Sequence, residues 1–203
     1  NAMAVYMGLV DPGNRAAVVD NIVRDVRGKN NSLSSGDVGY LYLLQVLEAA
    51  GRSDVIYKMN NREDVPGYGY QLAHGATALT ESWQAFPSVS NDHLMLGHLM
   101  EWFYSGLAGI KQTDRSVGYH HIEIAPQPVG RIHSCTASFM SPYGKISSSW
   151  EKSGNTFMLR VHIPANTTAS ILIPANRDQS LWEDGKTGPP MRISRLGGEK
   201  LGI

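Results

Sequence analysis

The hydrophobic pattern changes period once along the chain, near residue 112, and this change limits the possible folds more than any other feature. Before it, apolar residues recur at helical spacing. Ala17, Val18, Ile22, Val23 and Val26 mark a helix from Asn14 to Arg27, with Pro12-Gly13 as its start signal. Leu41, Leu43, Leu44, Val46, Leu47 and Ala50 mark a second over Asp37 to Ala50, stopped by Gly51. Ser53 is placed to cap a short helix through Met59. Asn60 to Gly75, with Pro66 and two Gly-Tyr pairs, reads as a loop, and a short helix is expected over Thr77 to Gln84. Asn91 or Asp92 then caps a long apolar helix to Ile110 that contains Trp102 and Phe103.

After Asp114 the period is two. Tyr119–Ala125, Arg131–Ser141, Gly144–Lys152, Thr156–Ile163 and Thr168–Ile173 read as strands. Pro126-Gln-Pro128, Ser141-Pro-Tyr-Gly144, Ser153-Gly-Asn155 and Pro164-Ala-Asn166 separate them as turns. Ile146, Ser148 and Trp150 share one strand face. The tail from Asn176 is rich in Gly, Pro and charge, with weak edge strands expected near Leu181 and Met191 to Ile193. The expected class is therefore α+β and multidomain: helices over 4–112, then an antiparallel β-sandwich over 113–203.

Charge excludes some functions. Lys+Arg and Asp+Glu both number 18, and no basic run points to nucleic acid or an anionic membrane surface. No apolar run reaches the roughly 18 residues of a membrane span. The single cysteine, Cys135, excludes an intrachain disulfide and a multi-cysteine metal site. His98 and Glu101 have metal-compatible spacing but no third ligand, so no metal or other cofactor is expected.

The chemistry gathers in Gly75-Ala-Thr-Ala-Leu-Thr-Glu81-Ser-Trp83 and Ser90-Asn-Asp92-His93-Leu-Met-Leu-Gly97. A carboxylate, a histidine and an indole are the furniture of a sugar-cleaving pocket. The carboxylate activates water, the histidine bonds hydroxyls, and the indole packs on a pyranose face. Glu81 is the one persuasive carboxylate. Asp92 and Asp37 read equally as helix caps, and Glu63 and Asp64 as solvated loop residues. Trp83 is open to sugar stacking or to core packing. Tyr68 and Tyr70 are candidates for the pocket rim. His120-His121 alternates across a strand and reads as structural, and Cys135 as an inert thiol. Trp150 and Trp182 could mark a sugar-binding sheet face or belong to the core.

In this order the motifs resemble the C-terminal part of bacterial α-L-rhamnosidases of glycoside hydrolase family 78. Ser34-Ser-Gly-Asp-Val-Gly39 with Tyr42-Leu-Leu-Gln-Val-Leu47, the Glu81 motif, and Asn91-Asp-His93…Gly97…Trp102-Phe-Tyr104 carry the helical part of the resemblance. Ile124-Ala-Pro-Gln-Pro128 and Ser141-Pro-Tyr-Gly144 carry the β part. Thr80 stands where many members have tryptophan, and Asp92 where asparagine often precedes the histidine.

The resemblance implies the last portion of an (α/α)6 toroid followed by a β-sandwich. It implies an inverting hydrolase in which Glu81 is the general base and His93 contacts the sugar, with weaker roles for Trp83, Asp92 and Tyr68. It also implies a general acid on earlier sequence, so that this chain alone is expected to be inactive. The expected partner is a rhamnose-containing glycoside or polysaccharide, with a periplasmic or secreted parent favoured. Toroid helices lacking neighbours would expose apolar stripes on 37–50 and 92–110, so a homo-oligomer is expected. The rival reading is a non-catalytic carbohydrate-binding or interaction module carried by the β half.

Overall fold

A computed structural model describes residues 1–175 and the backbone of four short strands within 182–202. The chain divides into two compact units, Asn1–Trp102 and Phe103–Ile203.

The first unit is helical. It contains α1 (Ala2–Tyr6), α2 (Arg15–Gly28), α3 (Asp37–Ala49), α4 (Ser53–Asn60), α5 (Tyr68–Ala73) and α6 (Leu99–Trp102), with 3-10 turns at Pro12–Asn14 and Leu94–Leu96. The start signal before α2 works through Asp11, whose Oδ1 accepts from the Gly13 amide at 2.9 Å. Both long helices stop in the same way. The Arg52 amide reaches back to Leu47 and that of Gly51 to Glu48, with Gly51 at φ +68°. The Asn31 amide likewise reaches Val26 and that of Asn30 reaches Arg27, with Asn30 at φ +56°. These are left-handed caps that satisfy the last carbonyls of the helix.

α3 is the centre of this unit, with α1, α4 and α6 packed on it. Tyr40, Leu44, Val46 and Leu47 of α3, Val55, Ile56 and Met59 of α4, and Ile22, Val23 and Val26 of α2 are buried in the core, with α4 packed on both α3 and α2. Each such side chain contributes about 1.5–3 kcal/mol on burial.

Four local expectations are corrected. Ser53 opens α4 rather than capping it, since Arg52 holds the cap position, and its hydroxyl accepts the Trp102 indole N–H at 2.8 Å. The expected loop before Gly75 contains α5. There, Gly67 and Gly69 let the chain run so close to Met59 and Arg62 that a Cβ would lie 2.8 and 2.4 Å from their carbonyl oxygens. Thr77–Gln84 is not helical, because Leu79 and Glu81 are drawn into backbone pairing with His93 and Ser90. The long helix to Ile110 is instead a 3-10 turn, the short α6 and a π-turn at Phe103–Leu107. Phe103, in this turn, is exposed.

In the second unit the π-turn closes with the Ala108 amide on the Phe103 carbonyl at 3.0 Å. Gly109 then turns the chain into β1 (Ile110–Gln112), a strand the pattern did not reveal. Its φ is +81°, and a Cβ there would meet the Pro126 nitrogen at 2.2 Å. Glycine is therefore required twice over. The amides of Ala125 and Gln127 bond the carbonyls of Gly109 and Gly106, both at 2.9 Å. The Ala-Pro-Gln-Pro stretch thus seats this turn.

The remaining strands are β2 (His121–Ile124), β3 (Ser134–Ser141), β4 (Gly144–Ser153), β5 (Thr156–His162), β6 (Thr168–Pro174), β7 (Trp182–Glu183), β8 (Lys186–Thr187), β9 (Arg192–Arg195) and β10 (Glu199–Gly202). Two sheets, ordered β1-β2-β6-β10-β9 and β3-β4-β5, face each other across Ile110, Ile122, Ile124 and Ile146. β7 and β8 form a separate ribbon. The pairing is antiparallel except between β2 and β6, which run parallel. Their connection passes through the whole opposite sheet, which supplies the long crossover that parallel neighbours require. Leu181 and Met191, where edge strands were expected, lie outside the described residues, although β7 and β9 begin directly after them.

Candidate active site

Glu81 and His93 stand on a narrow neck in the helical unit. The Glu81 amide donates to the Ser90 carbonyl at 2.9 Å, and the His93 amide donates to the Leu79 carbonyl at 2.8 Å. These two bonds run Leu79–Glu81 beside Ser90–His93 and close the loop between them. The Ser90 amide then donates to Glu81 Oε2 at 3.1 Å, so one carboxylate oxygen is tied to the opposite side of the neck. Glu81 is exposed and His93 half-buried.

Beneath the neck the backbone is locked at Ser82. Its carbonyl accepts from Thr80 Oγ1 at 2.6 Å, the Ala85 amide at 2.9 Å and Gln71 Nε2 at 3.1 Å. Its hydroxyl accepts from the Phe86 amide at 3.2 Å. Thr80 and Gln71 are buried. A carbonyl held by three donors has little freedom, and it sits between the peptide of Glu81 and that of Trp83.

Trp83 fills the packing role of the two that were open to it. It is 6% exposed, its indole N–H donates to the Ser35 carbonyl at 2.6 Å, and its ring meets Tyr40 and Tyr68 edge-on at 5.0 and 5.3 Å. It is a wall under the neck, not a surface for a sugar. Tyr68 is half-buried in the same cluster. Burial pushes its phenol up to about 12, partly offset by the nearby Leu99 backbone, which falls short of a full hydrogen bond. Tyr70 stacks on His74 with centroids 3.8 Å apart.

Asp92 is exposed and caps no helix: the following 3-10 turn is capped by His93. Asp37 is not a cap either, since Gly36 holds that position. Asp37 is the first residue of α3. Its Oδ1 accepts from the Val38 amide at 2.8 Å, and its Oδ2 lies 3.5 Å from His93 Nε2.

Several other candidates have structural partners. Glu101 accepts from Gln45 Nε2 at 2.7 Å, and His98 lies against Tyr40. Asp64 is exposed and paired with Arg62, which holds its carboxyl below the usual range. His121 bridges Thr168 and Ser170 of β6. Trp150 is 1% exposed and bonded to the Leu107 carbonyl at 2.8 Å, so it offers no sugar-binding face. The side chain of Trp182 lies outside the described residues. Burial raises the Cys135 thiol, which is half-buried. Among the described residues no helix is long and apolar enough to cross a membrane.

The family model of the bacterial alpha-L-rhamnosidase 6-hairpin glycosidase domain matches residues 1–107, and that of the bacterial alpha-L-rhamnosidase C-terminal domain matches residues 109–188. The chain belongs to the bacterial alpha-L-rhamnosidases. It is 32% identical over 183 residues to an alpha-L-rhamnosidase of Streptomyces avermitilis, covering 86% of this chain and 18% of that protein. It is 31% identical over 193 residues to one of Formosa agariphila, covering 91% and 21%. The solved alpha-L-rhamnosidase of Dictyoglumus thermophilum superimposes with a TM-score of 0.90 at 25% identity, over 100% of this chain and 23% of that one. The Streptomyces avermitilis enzyme complexed with L-rhamnose superimposes with a TM-score of 0.81 at 29% identity, over 99% and 20%. The chain thus spans about a fifth of the length of these relatives, all of them glycoside hydrolases. Its helices are part of a six-hairpin domain, and its strands form the C-terminal β domain.

Asp37, Thr80 and Gln71 were not anticipated as parts of this site. Only Asp37 left a signal, as a carboxylate after a Ser-Ser-Gly turn, and helix capping was an equally good explanation. The contacts of Thr80 and Gln71 arise where separate segments meet, and no local pattern marks them.

Proposed function

We propose that this chain supplies the general-base side of an inverting α-L-rhamnosidase that hydrolyses terminal α-L-rhamnosyl bonds of a glycoside or polysaccharide. Glu81 takes a proton from water as the water attacks the anomeric carbon. With Oε2 held by the Ser90 amide, Oε1 is the oxygen left to receive that proton. His93 bonds a hydroxyl of the sugar, with Asp92 exposed beside it. Trp83 and Tyr68 support the neck from below. A carboxylic acid outside these residues protonates the leaving oxygen, at the roughly 6.5–9.5 Å separation that leaves room for water. The observation that carries this reading is the pair of backbone bonds, Glu81 to Ser90 and His93 to Leu79, which hold carboxylate and imidazole on one neck.

The test is hydrolysis of an aryl α-L-rhamnoside by this chain and by Glu81→Gln. Neither is expected to turn over, because the acid is elsewhere. In an enzyme with the whole six-hairpin domain, the same substitution should lower kcat by about 10²–10⁴, and NMR of the first-formed sugar should show the inverted anomer. Turnover by both forms of the chain would remove Glu81 from the mechanism. Turnover lost only in Glu81→Gln would keep the base but place an acid within these residues or on a second copy.

A homo-oligomer is part of the same reading. Leu94, Met95 and Met100 stand exposed in the helical unit, Leu94 by 80%, and an apolar patch of this kind favours association. Sedimentation of a strict monomer at micromolar concentration would refute it.

A further inference from the structure

We infer that Asp37 is the positioning residue for His93: it fixes the ring through Nε2 and so presents Nδ1 to the sugar. This rests on the proposed sugar contact of His93 and deepens it.

The two residues lie far apart in sequence and meet only in the fold, with Asp37 Oδ2 at 3.5 Å from His93 Nε2. Each end is separately constrained. The Asp37 carboxylate occupies the first turn of the 13-residue α3, where the helix dipole favours an anion. Its other oxygen is engaged by the Val38 amide, so Oδ2 is the one turned to the imidazole. The histidine backbone is fixed on both sides, its amide on the Leu79 carbonyl and its carbonyl receiving the Leu96 amide at 3.2 Å. What remains free at His93 is rotation of the side chain, and the Asp37 carboxylate, within ion-pair range of Nε2, is the group placed to restrain it.

The chemistry follows from the donor inventory of imidazole. A carboxylate accepts only, so it selects the form that carries the proton on Nε2. The partner of one ring nitrogen sets the state of the other. Nδ1 of the neutral ring is then an acceptor with a fixed direction, suited to a sugar hydroxyl that donates. Without Asp37 the two tautomers compete, and the ring can present either a donor or an acceptor to the same hydroxyl. Asp37 itself touches no substrate in this scheme, and its half-exposed position leaves the packing of α3 independent of it.

The experiment is two-bond ¹H–¹⁵N spectroscopy of the imidazoles in the 203-residue chain, assigned with His93→Gln, for the native chain and for Asp37→Asn and Asp37→Ala. The expected native signature is a single Nε2–H tautomer at His93. Both substitutions should shift its nitrogens to the averaged values of a mixture, while the other imidazoles and the far-UV spectrum stay unchanged. A mixed native tautomer, or a native signature that survives both substitutions, overturns the role of Asp37. Titration with L-rhamnose, in an enzyme that carries the whole six-hairpin domain, then separates the two ideas. A shift of Nδ1 in the native form that weakens at least several-fold in Asp37→Ala supports the alignment. No perturbation of His93 by the sugar overturns the sugar contact, whether or not the tautomer signature holds.

Discussion

Two tryptophans use the same device in different surroundings. Trp83 donates its indole N–H to the Ser35 carbonyl, and Trp150 donates to that of Leu107. Around Trp150 the buried hydroxyl of its strand face is absorbed. Ser148 Oγ donates to the Ala108 carbonyl at 2.7 Å, and Ile146 closes the layer. Around Trp83 the polar bonds point the other way. They lock Ser82 and the neck, and they leave Glu81 at the surface with one oxygen tied. In the β unit, buried polar groups are spent on holding the turn before β1. In the helical unit they are spent on stiffening a loop that carries an ionisable group. A rigid support under an exposed carboxylate suits chemistry better than a dense core does.

The sharpest way to break this comparison is to remove both pillars. Trp150→Ala and Trp83→Ala should each cost about 3–5 kcal/mol, measured by denaturant unfolding. The comparison predicts that Trp150→Ala unfolds the β unit and Trp83→Ala loosens the neck, which amide hydrogen exchange at Glu81 and His93 would distinguish. Equal loss of protection at the neck in both variants would end the distinction.

Gly109→Ala comes next. A left-handed backbone and a Cβ pressed on Pro126 should cost about 3 kcal/mol, read as a lower unfolding midpoint. No loss would mean that the Ala-Pro-Gln-Pro seat can move.

Thr80→Val removes one of three donors from the Ser82 carbonyl and should cost about 1 kcal/mol. Faster amide exchange at Glu81 should accompany it. Glu81→Gln, on an exposed group, should change stability by less than about 0.5 kcal/mol while removing the proposed base.

Tyr68 gives a pH test of the support. Its phenol is raised from an ordinary 10.0 to about 12 by burial. A raised folded-state value means that the folded chain holds the proton more tightly. The stabilisation is therefore complete below pH 10 and is lost as pH rises towards 12. The unfolding midpoint should fall across that window, and Tyr68→Phe should abolish this part of the fall. An identical alkaline profile in Tyr68→Phe would place the transition on another group.

Much of the architecture was legible. Asp37 to Ala50 was read as a helix and forms as α3, because its apolar residues cover one face and Gly51 supplies the left-handed stop. Gly144 to Lys152 was read as a strand and forms as β4, with Ile146, Ser148 and Trp150 facing inward together. The stretch from Asp92 to Ile110 misled, because apolar spacing compatible with a helix was interrupted by three glycines. Gly97, Gly106 and Gly109 all come close to other segments or bond them. β1 was invisible for the same reason: three residues carry no period, and only pairing with β2 makes them a strand.

Local pattern decided the elements that bury their own faces, the change of period between the two units, and the pairing of Glu81 with Trp83 in one motif. These depend on residues a few positions apart, so they can be read along the chain. Folding decided which side of that motif faces water. Trp83 went inward because Tyr40, Tyr68 and the Ser35 carbonyl were there to receive it. Asp37 came to His93 because α3 begins beside the neck. Such contacts join segments tens of residues apart, and their energies depend on distance in space, which no spacing in the sequence records.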